Sequence, residues 1–573
     1  MSTPDLILHN GNVITLDSAA SIAQAVAIRD GRLVGVGASE PLLRDAGRDT
    51  RVLDLAGRTA LPGFIDAHPH MDRLGLKTRG GIAIAGLASV AGIVEAVREA
   101  AETAALGEWI VTMPMGEPPH EYIYLPEQLA EGRFPNRRDL DAVAPNNPVY
   151  IRSVWGWWAR DPFPSVANSL ALERAGVTRD TPAPHKVQID KDANGDPTGI
   201  FFEGNFAPIL EYTLFKDVPR FTHDDRVASI REGSNAYSAA GTTHAYEGHG
   251  LTPGVIRAYS EAHELGTLNV RTHAPFSVPT SAMDDRQIGD LLYHYAAVAS
   301  GRGVGDDMLR VQGICLTSGD PAVAEHIATG YPYEQWSGLF YQALPFDRLV
   351  KIGVEAARLG LRVNVPVSYN VELEFVLSAF EAVDREISIR GRRWVAMHVV
   401  HATPDQMERI KALDMRITIS PNYMYLFSDR FRLDMLDAEG LPFRELADAG
   451  IAVSLETDGV PHSLLWAMWE TLARWDERAG RRRGEARLSR DEVLRLAIQN
   501  GHELTWNEDR FGSLEIGKQA DVVVLADDPL TCPEDALKDI EVDLTLVGGR
   551  TVHQRRSGDE PAPLEVGSSG GPA

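Results

Sequence analysis

Between about residue 62 and residue 511 the chain alternates short apolar runs with amphipathic helical stretches. LPFRELADAG followed by IAVSLETDG is one such helix and strand pair, and VAGIVEAVREAAETA is another of the helices. Alternation of this kind predicts an α/β fold in which strands lie parallel and helical crossovers return the chain to the same edge. Helix starts are marked as well. Thr403-Pro404-Asp405-Gln406 offers a cap, a proline at the first helical position and a capping-box partner, and Ser489-Arg490-Asp491-Glu492 repeats the box. The run WVAMHVVH therefore feeds a helix through a two-residue loop, with His401 at the carboxyl end of the strand.

The two ends of the chain read differently. DLILHNGNVITLD, SIAQAVAIRDGRLVGVG and RVLDLAGRTALPG are strand-like runs, and Asn10-Gly11 and Asp30-Gly31 between them are hairpin signals. GSLEIGKQADVVVLADDPL and DLTLVGGRTVH echo the pattern, so residues 1–61 and 512–556 are expected to build one small β domain from both ends. The stretch from about 115 to 220 breaks the alternation with prolines, tryptophans and turn residues, and is expected to be an insertion over the barrel mouth. In it Trp155, Trp157 and Trp158 either line a pocket for an apolar or aromatic group or form the insertion's own core. Residues 557–573 have the Gly, Ser and Pro content of a disordered tail.

Composition excludes several classes of function. Asp and Glu outnumber Lys and Arg by 81 to 56, and the resulting charge of −25 repels a phosphate backbone, so no nucleic-acid partner is expected. No run approaches the ~18 apolar residues of a membrane span, and MSTPDLILHNGNVITLD, with no basic segment ahead of a long apolar core, is not expected to act as a leader. Two cysteines, Cys315 and Cys532, cannot frame a disulfide scaffold and suit a reducing compartment. A cytoplasmic protein acting on a small molecule, with assembly as a homo-oligomer left open, is the expectation.

Chemistry-bearing side chains gather where apolar runs give way to loops. LPGFIDAHPHMD places His68 and His70 one residue apart, and on a strand such a pair projects from one side toward a single object, a metal ion above all. Cys315 lies in RVQGICLTSGD, His401 ends WVAMHVVH, and Asp458 lies in IAVSLETDGV. Each has a plainer reading: Asp458-Gly459 as a turn, His401 as a helix-entry residue, Cys315 as a small buried apolar side chain. AGTTHAYEGHG adds His244, Glu247 and His249, either as further ligands or substrate-binding groups or as local hydrogen bonding around glycines. Arg481, Arg482 and Arg483 read as a solvated patch.

Taken together, DLILHNGNVITLD, LPGFIDAHPH, GEWIV, ANSLALERAGV, MHVVHATPDQMERIKAL, LADAGIAVSLETDGVP and RFGSLEIGKQADVVVLADDPL give a sequence that resembles the metal-dependent amidohydrolase superfamily over nearly its whole length. It is most similar to the YtcJ-like (amidohydrolase 3) branch, which includes N-substituted formamide deformylase. The resemblance implies a distorted TIM-like (β/α)8 barrel over 62–511, with the ends forming a small β-sandwich. It also implies a divalent metal, zinc first, with one ion preferred to two. The implied ligands are His68 and His70 after the first strand, His401 after the sixth and Asp458 after the eighth.

Two positions depart from that pattern. Cys315 stands where the branch carries a lysine on the fourth strand, and a thiolate is a competent zinc ligand. Pro366 stands where the fifth strand carries a histidine, and proline binds no metal. On strand parity Asn364 and Ser368 face the axis beside it, and an amide oxygen is a weak ligand for a transition metal. His398, three residues before His401, falls on the opposite face unless a bulge intervenes. The expected chemistry is hydrolysis of an amide, N-acyl amine, carbamate or cyclic amide. Asp458 moves the proton, while His401 either joins Cys315 at a second ion or orients the substrate carbonyl. Tyr122, Tyr124, Tyr423 and Tyr425 hint at an aromatic group on the substrate. The alternative is a barrel with a remodelled site acting as a lyase, an isomerase or a binding protein.

Overall fold

The computed structural model describes residues 3–116, 122–153, 162–204, 209–280, 283–318, 344–367, 370–427, 440–485 and 488–555. Trp155, Trp157, Trp158, Ser368 and the 557–573 tail lie outside them. The chain divides into two compact units, one drawn from 1–71, 230–320 and 342–573 and the other from 72–229.

Eight strands of the first unit run parallel in chain order: β1 (Phe64–Asp66), β2 (Thr242–Tyr246), β3 (Arg271–Ser277), β4 (Leu309–Cys315), β5 (Val363–Pro366), β6 (Val395–Met397), β7 (Arg416–Ile419) and β8 (Val453–Leu455). Each pairs with the next, and Ala67 N donates to Leu455 O at 3.1 Å across the seam between β8 and β1. The result is a nearly closed barrel, whose carboxyl strand ends open onto one rim. Its interior is packed: Ala67, Tyr246, Cys315, Val395, Met397 and Leu504 form one buried cluster. Asn364 on β5 faces inward, accepting from Tyr246 Oη at 2.6 Å and donating to Ile314 O at 3.1 Å. Both capping boxes form. Thr403 Oγ1 accepts from Gln406 N at 3.2 Å while Gln406 Oε1 accepts from Thr403 N at 3.0 Å, and Ser489 and Glu492 make the same exchange.

The ends of the chain interleave. One sheet orders Arg32–Gly37, Ala25–Arg29, Leu6–His9 and Arg51–Asp54; a second orders Arg550–Gln554, Val542–Val547, Val522–Leu525, Thr59–Pro62, Asn12–Ile14 and Ile22–Ala23. Leu6, Leu8, Val26 and Leu53 from the first pack with Val13, Val522, Val524 and Leu544 from the second. Asp30-Gly31 is a hairpin turn, with both residues left-handed (φ 49° and 74°) between antiparallel partners. Asn10-Gly11 is not, because Leu6–His9 and Asn12–Ile14 belong to different sheets. A side chain on Gly11 would meet Leu55 Cδ1 at 2.5 Å, so that glycine serves a close crossing between the sheets.

The second unit carries a five-stranded sheet ordered Val187–Lys191, Pro197–Glu203, Phe163–Ala167, Val149–Ile151 and Ile110–Thr112. The helix Val90–Thr103, read from the sequence as part of the alternating barrel, packs here through Val90, Ile93 and Val97. The unit thus begins at 72, well ahead of the 115 expected for an insertion. Arg483 also departs from expectation: it is buried and its Nε donates to Asp476 at 2.6 Å, while Arg481 and Arg482 are exposed. No helix among the described residues is long and apolar enough to cross a membrane.

Arg271 at the start of β3 ties the barrel to the C-terminal segment, its Nε and Nη2 donating to Asp521 at 2.7 and 2.9 Å with both side chains buried. Breaking such a pair leaves an uncompensated buried charge. Arg271→Ala is expected to lose about 3–5 kcal/mol of stability, read as a lower midpoint in urea.

Candidate functional site

The rim is organised around the carboxylate that ends β1. Asp66 Oδ1 accepts from His68 N at 3.0 Å and Thr457 N at 3.1 Å, and Oδ2 accepts from Thr457 Oγ1 at 2.5 Å. The loops after β1 and β8 are thereby held to one group. Tyr237 adds a second tie, its hydroxyl donating to Pro69 O and lying 3.4 Å from Thr457 Oγ1. Burial pushes the Asp66 carboxyl up to about 6, against the pull of those hydrogen bonds.

Beyond this clamp the backbone turns left-handed at His70 (φ 51°) and Asp458 (φ 50°), a region that costs a non-glycine residue about 1–2 kcal/mol. β1 has already ended, so loop conformation rather than strand parity brings the histidines together. His68 Nε2 lies 3.0 Å from His70 Nε2, and Asp458 Oδ1 lies 3.0 Å from His70 Nε2 and 3.8 Å from His68 Nε2. His68 is fully buried, and Asp458 is 3% exposed.

Two further histidines complete the cluster. β6 stops at Met397, and the chain turns left-handed at His398 (φ 64°), which ends the alternation on which the opposite-face argument rested. The His398 ring therefore faces the site. Its Nδ1 lies 2.6 Å from Glu456 Oε1 and its Nε2 3.4 Å from His249 Nε2. Burial alone lowers the His398 pKa, but the adjacent Glu456 and Asp458 carboxylates outweigh it and hold the ring above its ordinary value. His249 arrives on the loop after β2. A side chain at Gly248 would sit 2.7 Å from His68 Nδ1 and 2.5 Å from Met397 Sδ, so only glycine lets that loop lie so close.

The donor atoms of His68, His70 and His249 lie within 4.8 Å of one another, as do those of His68, His398 and Asp458. Zinc bound at ~2.0–2.1 Å by imidazole nitrogens in a tetrahedron spaces its donors by about 3.3 Å. The 3.0, 3.0, 3.4 and 3.8 Å separations bracket that value, and imidazole with carboxylate is a zinc-type donor set. The residues fit a divalent metal.

The other expected residues lie elsewhere. His401 is not among the side chains brought together; it is half-buried, its Nδ1 has no hydrogen-bond partner among the described residues, and burial lowers its pKa. Cys315 is also outside the group: it packs in the apolar barrel interior, its thiol pKa pushed far up by burial. Glu247 braces the site from behind, Oε1 accepting from Met71 N at 3.1 Å and Tyr259 Oη at 2.8 Å. His244 points away, its ring 4.4 Å from Phe511 and 4.6 Å from His502. Pro366 ends β5 and offers no donor. Trp157 lies outside the described residues.

Two contributors were not assigned from sequence. Glu456 is fully buried directly after β8, and a charged residue inside SLETDG was the signal for it. Tyr423 had been read only as a substrate-facing aromatic. Its hydroxyl donates to Asp458 Oδ2 at 2.9 Å, and its ring lies 5.3 Å from that of His398. Tyr425 instead packs on Trp466 and Trp469, at 5.0 and 6.3 Å between ring centres.

Known proteins share this architecture. The sequence model of the amidohydrolase family matches residues 51–553. The N-substituted formamide deformylase of Arthrobacter pascens is 26% identical over 569 residues, which cover 96% of this chain and 98% of that one. A crystal structure of an uncharacterized metal-dependent hydrolase from Pyrococcus furiosus superposes with a TM-score of 0.65 at 22% identity, over 92% of this chain and 100% of that one. An adenosine deaminase from Xanthomonas campestris with bound zinc superposes with a TM-score of 0.52 at 13% identity, over 96% and 93% of the two chains. With a family match that spans most of its length, the chain belongs to the amidohydrolase family.

Proposed function

We infer that the protein cleaves the carbon–nitrogen bond of a small amide, N-acyl amine, carbamate or cyclic amide with water, at a zinc site held by His68, His70, His249, His398 and Asp458. Its family makes it an enzyme, a hydrolase of carbon–nitrogen bonds other than peptide bonds. The observation that carries the reading is the approach of His68 Nε2, His70 Nε2 and Asp458 Oδ1, with successive separations of 3.0 Å. A single ion, held within one of the two overlapping donor groups with the remaining donors beside it, is favoured because Cys315 is turned into the apolar interior and β5 ends in Pro366. Two free, buried cysteines suit a cytoplasmic setting.

When bound, zinc supplies the Lewis acidity that makes hydroxide available from water near neutral pH. The chain's own residues do the rest. Asp458 takes up the proton of the attacking water and returns it to the departing nitrogen, as general base and then general acid. Tyr423 holds that carboxylate by Oδ2, which leaves Oδ1 turned toward the histidines. His401, half-buried and outside the donor group, orients the substrate carbonyl, a role worth up to ~3 kcal/mol as negative charge develops on the oxygen.

The test is a panel of N-acyl amines, carbamates, ureas and cyclic amides, assayed after chelation and after zinc is restored. Hydrolysis that stops and returns supports the reading; metal-replete protein inert toward the whole panel counts against it. Elemental analysis separates the two histidines after β6: His398→Ala is expected to lose at least roughly 10-fold in zinc affinity and be purified largely without metal, whereas His401→Ala retains it and loses turnover. Tyr423→Phe removes one hydrogen bond to a charged acceptor, about 1.5–3 kcal/mol, so kcat is expected to fall roughly 10- to 100-fold with KM little changed in steady-state assays.

A further inference from the structure

The geometry points to Glu456 as the positioning residue of the centre, a single carboxylate that hydrogen-bonds one of its histidines from behind, lies beside a second and contributes charge. The inference rests on the metal reading above. Glu456 follows β8, is fully buried, and presents its two oxygens to different rings. Oε1 lies 2.6 Å from His398 Nδ1, and Oε2 lies 3.9 Å from His68 Nδ1.

The consequence for His398 follows from imidazole chemistry, whereas His68 Nδ1, at 3.9 Å, is beyond hydrogen-bond reach and feels Glu456 as charge alone. An imidazole that donates Nδ1–H to a carboxylate keeps its lone pair on Nε2, and the carboxylate makes that nitrogen more basic. His398 Nε2 is the atom that faces His249 Nε2 at 3.4 Å, and His68 Nε2 is the atom that faces His70 and Asp458. In both rings the nitrogen toward Glu456 is the one turned away from the cluster. Glu456 belongs to neither donor group and its Oε1 is engaged by His398 Nδ1, so it acts as an orienter and not as a ligand.

The same side chain links strands remote in sequence. His68 follows β1, His398 follows β6, and Glu456 follows β8, so one carboxylate holds the His398 ring and places charge behind His68 across the rim. Gly248 keeps the neighbouring side of His68 free of bulk, since any side chain there would press on Nδ1 at 2.7 Å. Charge balance agrees: Asp458 beside the donor nitrogens and Glu456 behind them together offset a dication in a buried site.

The experiment measures zinc affinity by chelator competition on the unsubstituted chain, Glu456→Ala and Glu456→Gln, with the visible spectrum of the cobalt(II)-loaded proteins as a second readout. Glu456→Ala is expected to bind zinc roughly 10- to 100-fold more weakly. Glu456→Gln is expected to fall between, because its amide oxygen still accepts from His398 Nδ1 while the charge is gone. The cobalt spectrum should shift in Glu456→Ala as the donor rings reorient. Equal zinc affinity and an unchanged spectrum in the alanine variant would overturn the inference and leave the metal reading standing. Should the alanine variant not fold, the glutamine variant decides: weakened binding supports the role and unchanged binding refutes it. If the unsubstituted chain binds no zinc, the metal reading itself fails and the role of Glu456 goes with it.

Discussion

The buried Asp66 carboxylate is the constraint from which the rim follows. It receives two backbone N–H groups and a hydroxyl, from His68 and from Thr457, residues that are far apart in the chain and adjacent in space. Without that acceptor three buried donors would be orphaned, each at about 1–3 kcal/mol. The clamp also explains the left-handed backbone at His70 and Asp458, strain that persists only where surrounding contacts over-determine the loop. The clamp has a cost that the titration of Asp66 makes visible. Its folded-state pKa is raised from 3.8 to about 6, so the folded protein binds the proton more tightly than the unfolded chain does. Stability from this group alone therefore declines as pH rises through that window, the reverse of a salt-bridged carboxylate. The hydrogen bonds recover part of the desolvation penalty and not all of it.

Electrostatics then divides the site into a face and a back. Toward the cluster lie the Nε2 atoms of His68, His70, His249 and His398 with Asp458 Oδ1. Behind them lie Glu456, Glu247 and Tyr423, which hold rings, loop backbone and carboxylate in place. A metal centre needs both layers, since the ligand atoms must be deprotonated and aimed before an ion arrives. The Glu456 and Asp458 carboxylates hold the His398 pKa above its ordinary value despite its burial.

Much of this was legible in the residues. His68, His70 and Asp458 stand where apolar runs yield to loops, and the barrel places all such points on one rim. His398 was misjudged because strand parity was extended past the end of β6; a φ of 64° resets the face, and nothing in WVAMHVVH announces it. The VAGIVEAVREAAETA periodicity announces a helix, and its buried face packs with Ile110, Val149 and Val166, since amphipathic periodicity records that a face is buried and not against what. Asn10-Gly11 has hairpin chemistry, yet the chain uses its left-handed turn to cross between sheets. Arg483, just past the exposed two-residue strand Arg481–Arg482, is buried by its pairing with Asp476, a contact that three adjacent arginines do not announce.

The fifth strand brings no donor to the rim. Pro366 closes β5 with no side chain able to bind a cation, and the nitrogen gathered at the cluster comes instead from His249 after β2. Every loop at the carboxyl ends opens onto the same space, so the origin of a donor matters less than whether its backbone can approach. Room was the limiting requirement here. The loop after β2 passes within contact distance of His68 and Met397 only because residue 248 has no side chain, and Gly250 (φ 71°) lies against Cys315, where a Cβ would come within 2.9 Å of the cysteine's own. The two glycines on either side of His249 are therefore as necessary to the cluster as the histidine they carry, since they let the loop lie over Cys315 while the donor above it faces the other histidines.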